Sequence, residues 1–156
     1  MYLDGKSLYS ETINSPIGPV TIKGDEKGIH RILLGVSDKE KPLPLIEWVK
    51  KMMIRYFNGE NLEFKEIPLF LDMKKSISDF LIYVRQIPYG ELESYSSLGS
   101  KTKLHPRTVG LYLSKNPIPI IIPCHRVVMK DGKLGGFTGG TRWKNFLLQL
   151  ERKNKI

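Results

Sequence analysis

The apolar residues of this chain change their period near residue 45, and that change constrains the fold of the first part more than any other feature. Before it, short runs alternate as in an antiparallel sheet. Tyr9 to Asn14, Pro19 to Lys23 and Ile29 to Leu34 read as strands. Ser15-Pro16-Ile17-Gly18 and Asp25-Glu26-Lys27-Gly28 separate them as turns, with proline and glycine setting the dihedrals. After it, Leu45, Trp48, Val49, Met52, Met53 and Tyr56 or Phe57 fall at helical intervals, and Asn58-Gly59 closes that helix. Residues 61–73 read as a connection, which divides the chain into domains at 1–69 and 70–156.

The second part opens on a helix with Ile77, Phe80, Leu81, Val84 and Ile87 as its stripe, ended by Pro88-Tyr89-Gly90. Ser94 is placed to cap a short helix through Leu98. A polar connection, residues 99–104, leads to Pro106 in the first turn of a helix that runs to about Lys115. Two short helices around a polar turn resemble a helix-turn-helix, a pattern that many small helical domains share. A strand-like apolar run, Ile118 to Ile122, then leads to Pro123-Cys124. Met129 to Lys133 reads as a hairpin turn and residues 134–140 as a glycine-rich loop. The last helix, Trp143 to about Glu151, carries Trp143, Phe146, Leu147 and Leu150 on one face. The expected class is α+β.

Charge separates the two parts further. The net charge is +9. Residues 1–69 carry ten basic and ten acidic side chains, whereas residues 70–156 carry fifteen and six, so the whole excess lies in the second part. A solvated surface can hold such an excess without function, but its confinement to one segment fits a domain that binds a polyanion. No run approaches the roughly 18 apolar residues of a membrane span. The first six residues lack a signal-peptide pattern. An intracellular protein is expected, in which a free thiol stays reduced.

That thiol is Cys124, the single cysteine of the chain. It excludes an intramolecular disulfide and a cysteine-rich zinc site. Most lone cysteines are small buried hydrophobes. Here His125 and Arg126 follow at once, and cationic neighbours lower a thiol's pKa. A shift of ~1.5 units from about 8.5 would leave the thiol roughly half ionised at neutral pH. His125 can supply this as a base through a bridging water or as a nearby cation. A histidine base also needs an orienting carboxylate. Glu151 is the candidate if the last helix packs its C-terminal end beside the thiol, and an ordinary solvated carboxylate if it does not. The glycine-rich loop matches no nucleotide-binding pattern. Its glycines either make tight turns or let the backbone approach a flat ligand, with Phe137 available for stacking.

Pro123-Cys124-His125-Arg126 followed by Val127-Val128 resembles the acceptor signature of the O6-alkylguanine-DNA alkyltransferases (methylated-DNA–protein-cysteine methyltransferases). Asn116-Pro117, Tyr89-Gly90-Glu91 with Ser94-Tyr95, and Arg107-Thr108-Val109-Gly110 are similar to that family as well. Ser15-Pro16-Ile17-Gly18 and Gly28-Ile29-His30 resemble its N-terminal domain. The resemblance implies a small ribonuclease H-like domain of antiparallel sheet and helix. A mainly helical, winged helix-turn-helix-like DNA-binding domain carrying the acceptor cysteine would follow it. The implied activity is direct-reversal DNA repair. An alkyl group of O6-alkylguanine, and also of O4-alkylthymine, would pass irreversibly to Cys124 after base flipping, once per chain and without cofactor or metal.

By the same resemblance, His125 would be the water-linked base, Glu151 its orienting group, and Asn116 the brace of the turn that presents the thiol. Arg126 would be mainly structural. Arg107 would fill the gap left in the duplex, Tyr95 would donate to the extruded base, and Ser96 would lie against a phosphate. Phe137 and Thr138 would wall the pocket. The implied partner is double-stranded DNA bearing the lesion. No membrane and no obligate protein partner are expected, and the protein would be a cytoplasmic monomer, nucleoid-associated if the cell is prokaryotic. Leu111, Tyr112 and Leu113 are bulkier than the small residues common along the family's recognition helix, and Phe137 stands where a tyrosine is common. Two other readings are a lesion-binding protein without transfer activity, which Cys124 argues against, and a helix-turn-helix regulator with an incidental thiol.

Overall fold

The computed structural model describes residues 8–137 and 139–155. Strands β1 (Tyr9–Ser15), β2 (Gly18–Asp25) and β3 (Gly28–Leu34) form one antiparallel sheet in sequence order. Two-residue loops close both hairpins, with Ser15 opposite Gly18 and Asp25 opposite Gly28. Local side chains fix each turn: the Ser15 hydroxyl donates to the Gly18 carbonyl at 2.7 Å, and the Asp25 carboxylate accepts from Lys27 N at 2.9 Å. One face, with Ile13, Val20, Ile22 and Ile32, joins the core that helix α1 (Pro44–Phe57) also enters.

The buried stripe of α1 is Ile46, Val49, Met53, Tyr56 and Phe57, while Trp48, expected inside, is 42% exposed. Apolar residues at 45, 48 and 52 and at 46, 49 and 53 both satisfy helical spacing. The sheet selects the second set. Residues 68–70 then run along β3, where Ile29 N donates to Pro68 O and Phe70 N to Ile29 O, each at 2.9 Å.

The second part comprises α2 (Lys75–Val84), α3 (Tyr95–Thr102), α4 (Pro106–Ser114) and α5 (Thr141–Asn154). Ile87 is buried beyond the end of α2 rather than on it. Ser94 caps α3 as expected, accepting from Ser97 N at 3.0 Å. The helix continues four residues past Leu98, and Gly99 lets the chain beyond it fold back closely. A Cβ at Gly99 would lie 2.6 Å from the Leu104 carbonyl. Lys103, at φ 60°, takes the left-handed turn that ends α3. Strands β4 (Glu93–Ser94) and β5 (Val127–Val128) pair in parallel, fastening the start of α3 to the residues just after the thiol.

The run Ile118–Ile122 is not a strand. It is a closed, buried turn in which Ile122 N donates to Ile118 O at 2.9 Å. Pro117, Pro119 and Pro123 remove the donors a ladder would need. Ile120 sits at φ 75°, a conformation costly for a β-branched residue and held here by burial. Among the described residues no helix is long and apolar enough to cross a membrane.

Candidate active site

Cys124 begins a single 3₁₀ turn, Cys124–Arg126, directly after the isoleucine turn. Its backbone N donates to Ile122 O at 2.7 Å. Asn116, just past α4, cross-braces the whole segment: its Oδ1 accepts from Ile118 N at 2.9 Å, and its Nδ2 lies 2.9 Å from Ile122 O and 3.1 Å from Cys124 Sγ. The thiol is 4% exposed. It nevertheless lines a cavity of about 680 Å³, within the size range of small-ligand sites.

His125 and Arg126 turn away from this cavity toward Glu151 of α5. His125 Nε2 pairs with Glu151 Oε2 at 2.7 Å. The Arg126 guanidinium spans both carboxylate oxygens, Nε to Oε1 at 2.8 Å and an Nη to Oε2 at 2.9 Å. Its other Nη donates to Ile87 O at 2.5 Å. Gly90 N and the Tyr56 hydroxyl complete the set around the carboxylate, at 3.1 and 2.6 Å. His125 and Arg126 together hold the Glu151 carboxyl well below the usual range against the opposing effect of burial. Burial keeps His125 below its ordinary pKa, although Glu151 pulls it upward. His125 Nδ1 is buried and has no hydrogen-bond partner among the described residues.

This arrangement reverses one sequence expectation. The two neighbours do not lower the thiol pKa, because Arg126 directs its charge to Glu151 and burial disfavours the charged form of His125. Burial pushes Cys124 up to about 11, opposed by the Asn116 hydrogen bond and the charge of Lys144. The thiol is therefore stored protonated, and any thiolate must be made at the moment of reaction by transfer to a base.

Tyr95, Ser96, Arg107 and Phe137 line the same cavity as Cys124, so the structure brings these sequence candidates together. Thr138 lies outside the described residues. Phe137 also meets the His125 ring edge-on, with centroids 6.5 Å apart. Within the glycine-rich segment, Gly135 and Gly139 stand close to neighbouring side chains, whereas Gly136 and Gly140 have open space where a Cβ would lie. Gly135 has φ 71°, and a Cβ there would stand 2.7 Å from the Tyr95 hydroxyl. Of the three bulky residues on α4, only Leu111 faces outward, at 55% exposure. Tyr112 packs edge-on against Phe80, and Leu113 is buried. Gly110 and Ser114 share the cavity side of α4 with Arg107.

Two residues escaped the sequence reading. Lys144 is fully buried, donates to Val127 O at 2.6 Å and Gly136 O at 3.1 Å, and is lowered to about 8 by burial. Its signal was its phase, three before Leu147 and seven before Glu151 on the buried face of α5. Tyr56 looked like packing alone, and its partner is 95 positions away.

Comparison with known proteins decides what this assembly belongs to. Residues 78–153 match the family model described as 6-O-methylguanine DNA methyltransferase, DNA binding domain, and residues 8–71 match its ribonuclease-like domain. The chain belongs to the methylated-DNA–protein-cysteine methyltransferase family. A methylated-DNA–protein-cysteine methyltransferase of Methanosarcina barkeri is 39% identical over 94% of this chain and 99% of its own length. One from Methanopyrus kandleri is 43% identical over 66% of this chain and 78% of its own. A solved structure of the Mycobacterium tuberculosis OGT protein in complex with DNA superposes with a TM-score of 0.83 at 33% identity, covering 94% of each chain. The α+β architecture, a three-stranded antiparallel sheet with a helix followed by a helical DNA-binding part, is the family's.

Proposed function

We propose that this protein, a methylated-DNA–protein-cysteine methyltransferase by family, repairs O6-alkylguanine in double-stranded DNA by moving the alkyl group to Cys124. The observation that carries this reading is the lone thiol at the wall of a cavity beneath the two-helix unit, backed by a buried histidine–carboxylate pair. Alkylated guanine cannot be reached inside the stack, so the nucleotide turns out, at a cost of a few kcal/mol that is least for a poorly paired base. Basic side chains of residues 70–156 offset that cost through phosphate contacts that read no sequence. Arg107, exposed at the first turn of α4, fills the vacated place in the duplex, and Ser96 meets a phosphate. Tyr95 donates to the extruded base, and Phe137 and Thr138 wall it.

The Cys124 proton passes through a bridging water to His125 Nδ1, the ring atom turned away from Glu151. Sulfur attacks the alkyl carbon, a C–S bond forms, and the carbon–O6 bond breaks with its electron pair on the guanine, which is then protonated. Glu151 stays ionised throughout and stabilises the imidazolium. The thioether is stable and no second cysteine exists to receive the group, so each chain acts once, without cofactor. O4-alkylthymine reacts by the same route. The protein works as a cytoplasmic monomer, nucleoid-associated in a prokaryotic cell, with the division near residue 70 separating a supporting part from the DNA-binding part. DNA bearing radiolabelled O6-methylguanine should transfer at most one label per chain, to Cys124, by peptide mass spectrometry. Repeated turnover, or label on another residue, overturns the assignment.

A further inference from the structure

Among the described residues, all the groups that hydrogen-bond to the His125–Glu151 pair come from residues 89–151 except one. Tyr56, on α1, sends its hydroxyl across to Glu151 Oε2 at 2.6 Å. That oxygen is the one paired with His125 Nε2 at 2.7 Å, and it also accepts from Arg126 at 2.9 Å. The Tyr56 ring is fully buried and fixed by three neighbours: Phe57, Phe64 and Tyr89, at centroid distances of 5.5, 5.7 and 6.0 Å. The hydroxyl is thereby held in one place. Burial beside Glu151 keeps the phenol protonated, so it acts only as a donor.

The physical consequence follows from competition at one oxygen. A carboxylate offers about two acceptor sites per oxygen, and Oε2 serves three donors. Each donor weakens the oxygen's hold on the others. The Tyr56 bond is strongest when His125 is neutral, because the carboxylate then carries its charge uncompensated on that side. It weakens when His125 becomes an imidazolium. Tyr56 therefore favours neutral His125, the form able to accept a proton.

We propose that Tyr56 is a positioning residue of the alkyl transfer: acting through Glu151, it fixes the orientation of His125 and limits its basicity, so that the N-terminal part of the chain completes the proton relay. This rests on the reading of His125 as the base for Cys124. The sheet supports the relay from a second direction, since Ile32 N of β3 donates to Pro117 O at the entrance to the acceptor turn, at 2.9 Å. The other groups facing His125 are Glu151 and Lys144 from α5, Cys124 and Arg126 beside it in sequence, and the Phe137 ring edge. Glu63 reaches Arg126 at 3.7 Å. Removing the Tyr56 hydroxyl takes one donor from Glu151 Oε2 and deletes no other group in this set.

The test is Tyr56→Phe in the full-length protein, read by NMR titration of the His125 ring in the absence of DNA. The His125 midpoint should rise by about half a unit, and the acid limb of the single-turnover methyl-transfer profile should move with it, roughly a threefold slower rate on that limb. Tyr89→Phe is the control, since its hydroxyl has no hydrogen-bond partner among the described residues. It should leave both readouts in place. Site-specific 3,5-difluorotyrosine at position 56, a stronger donor in the same ring, should move the His125 midpoint down and carries the test if Tyr56→Phe fails to fold. A role in packing alone predicts no opposite displacement. An unchanged His125 midpoint in either folded Tyr56 variant overturns the inference. A wild-type protein that transfers no methyl overturns the proposed function instead, and the DNA-free titration tells the two failures apart.

Discussion

Glu151→Gln is the most severe test of the site, because that carboxylate is the only acidic group within direct reach of both His125 and the bidentate face of Arg126 among the described residues. Glu151 accepts five hydrogen bonds, from Tyr56, His125, two nitrogens of Arg126, and Gly90 N. An amide keeps the volume but loses the charge and gains two N–H donors. Whichever way it is turned, its NH₂ faces donors: Arg126 Nε and Gly90 N on one side, Tyr56, His125 and Arg126 Nη on the other. Arg126 is 2% exposed and would lose its buried counter-ion. Removing one partner of a buried pair costs about 3–5 kcal/mol. The same change strips His125 of its orienting group, which should slow methyl transfer by at least ~10²-fold.

Urea unfolding followed by tryptophan fluorescence at pH 7 and pH 3 measures the stability effect. The sign with pH follows from the folded Glu151 pKa lying well below the unfolded value. Its contribution is fully present above about pH 4.3 and is lost as pH falls toward the folded value, by up to about 1.4 kcal/mol per unit. His125, also depressed, adds a loss in the same direction below about pH 6.5. At pH 3, about 1.3 units below the unfolded value, the wild-type protein should thus have lost roughly 1.8 kcal/mol of its advantage over the variant, in which His125 titrates as well. A variant within about 1 kcal/mol of wild type at pH 7, or a stability gap unchanged between the two pH values, would refute the reasoning.

Arg107→Ala should slow transfer from duplex DNA by about tenfold or more, equivalent to 1.4 kcal/mol, while reaction with free 6-O-benzylguanine falls much less. Equal losses on both substrates would remove the duplex-filling role. Absorbance of the thiolate in the free protein should titrate with a midpoint near 11 rather than near 8.5, since burial raises Cys124. A thiol already ionised at neutral pH would show that the stored form is the thiolate and that no base is needed. Because the folded thiol pKa exceeds the unfolded one, Cys124 contributes stability below about pH 8.5 that is lost as pH climbs toward 11.

The hairpins, α4 and the acceptor signature were legible because their causes are local. Two-residue turns in Ser15–Gly18 and Asp25–Gly28, a proline at the start of α4, and a cap at Ser94 act within a few positions of themselves. The site candidates came chiefly from the resemblance rather than from spacing, and the structure places Cys124 beside Asn116, in one cavity with Tyr95, Arg107 and Phe137, and pairs His125 with Glu151. The phase of α1 was not legible, since two apolar stripes fit the same spacing and only the sheet distinguishes them.

What tertiary structure alone decided is the state of the chemistry. Whether His125 and Arg126 activate the thiol or serve Glu151 depends on where α5 lies, and the answer changes the direction of the thiol's pKa shift. The isoleucine run became a turn through an asparagine side chain that reaches six and eight residues ahead. Tyr56 entered the site through a hydrogen bond spanning 95 positions. Dihedral preference and periodicity are properties of neighbours along the chain and can be read there. Burial and charge compensation are properties of neighbours in space, which exist only once the two parts have packed together.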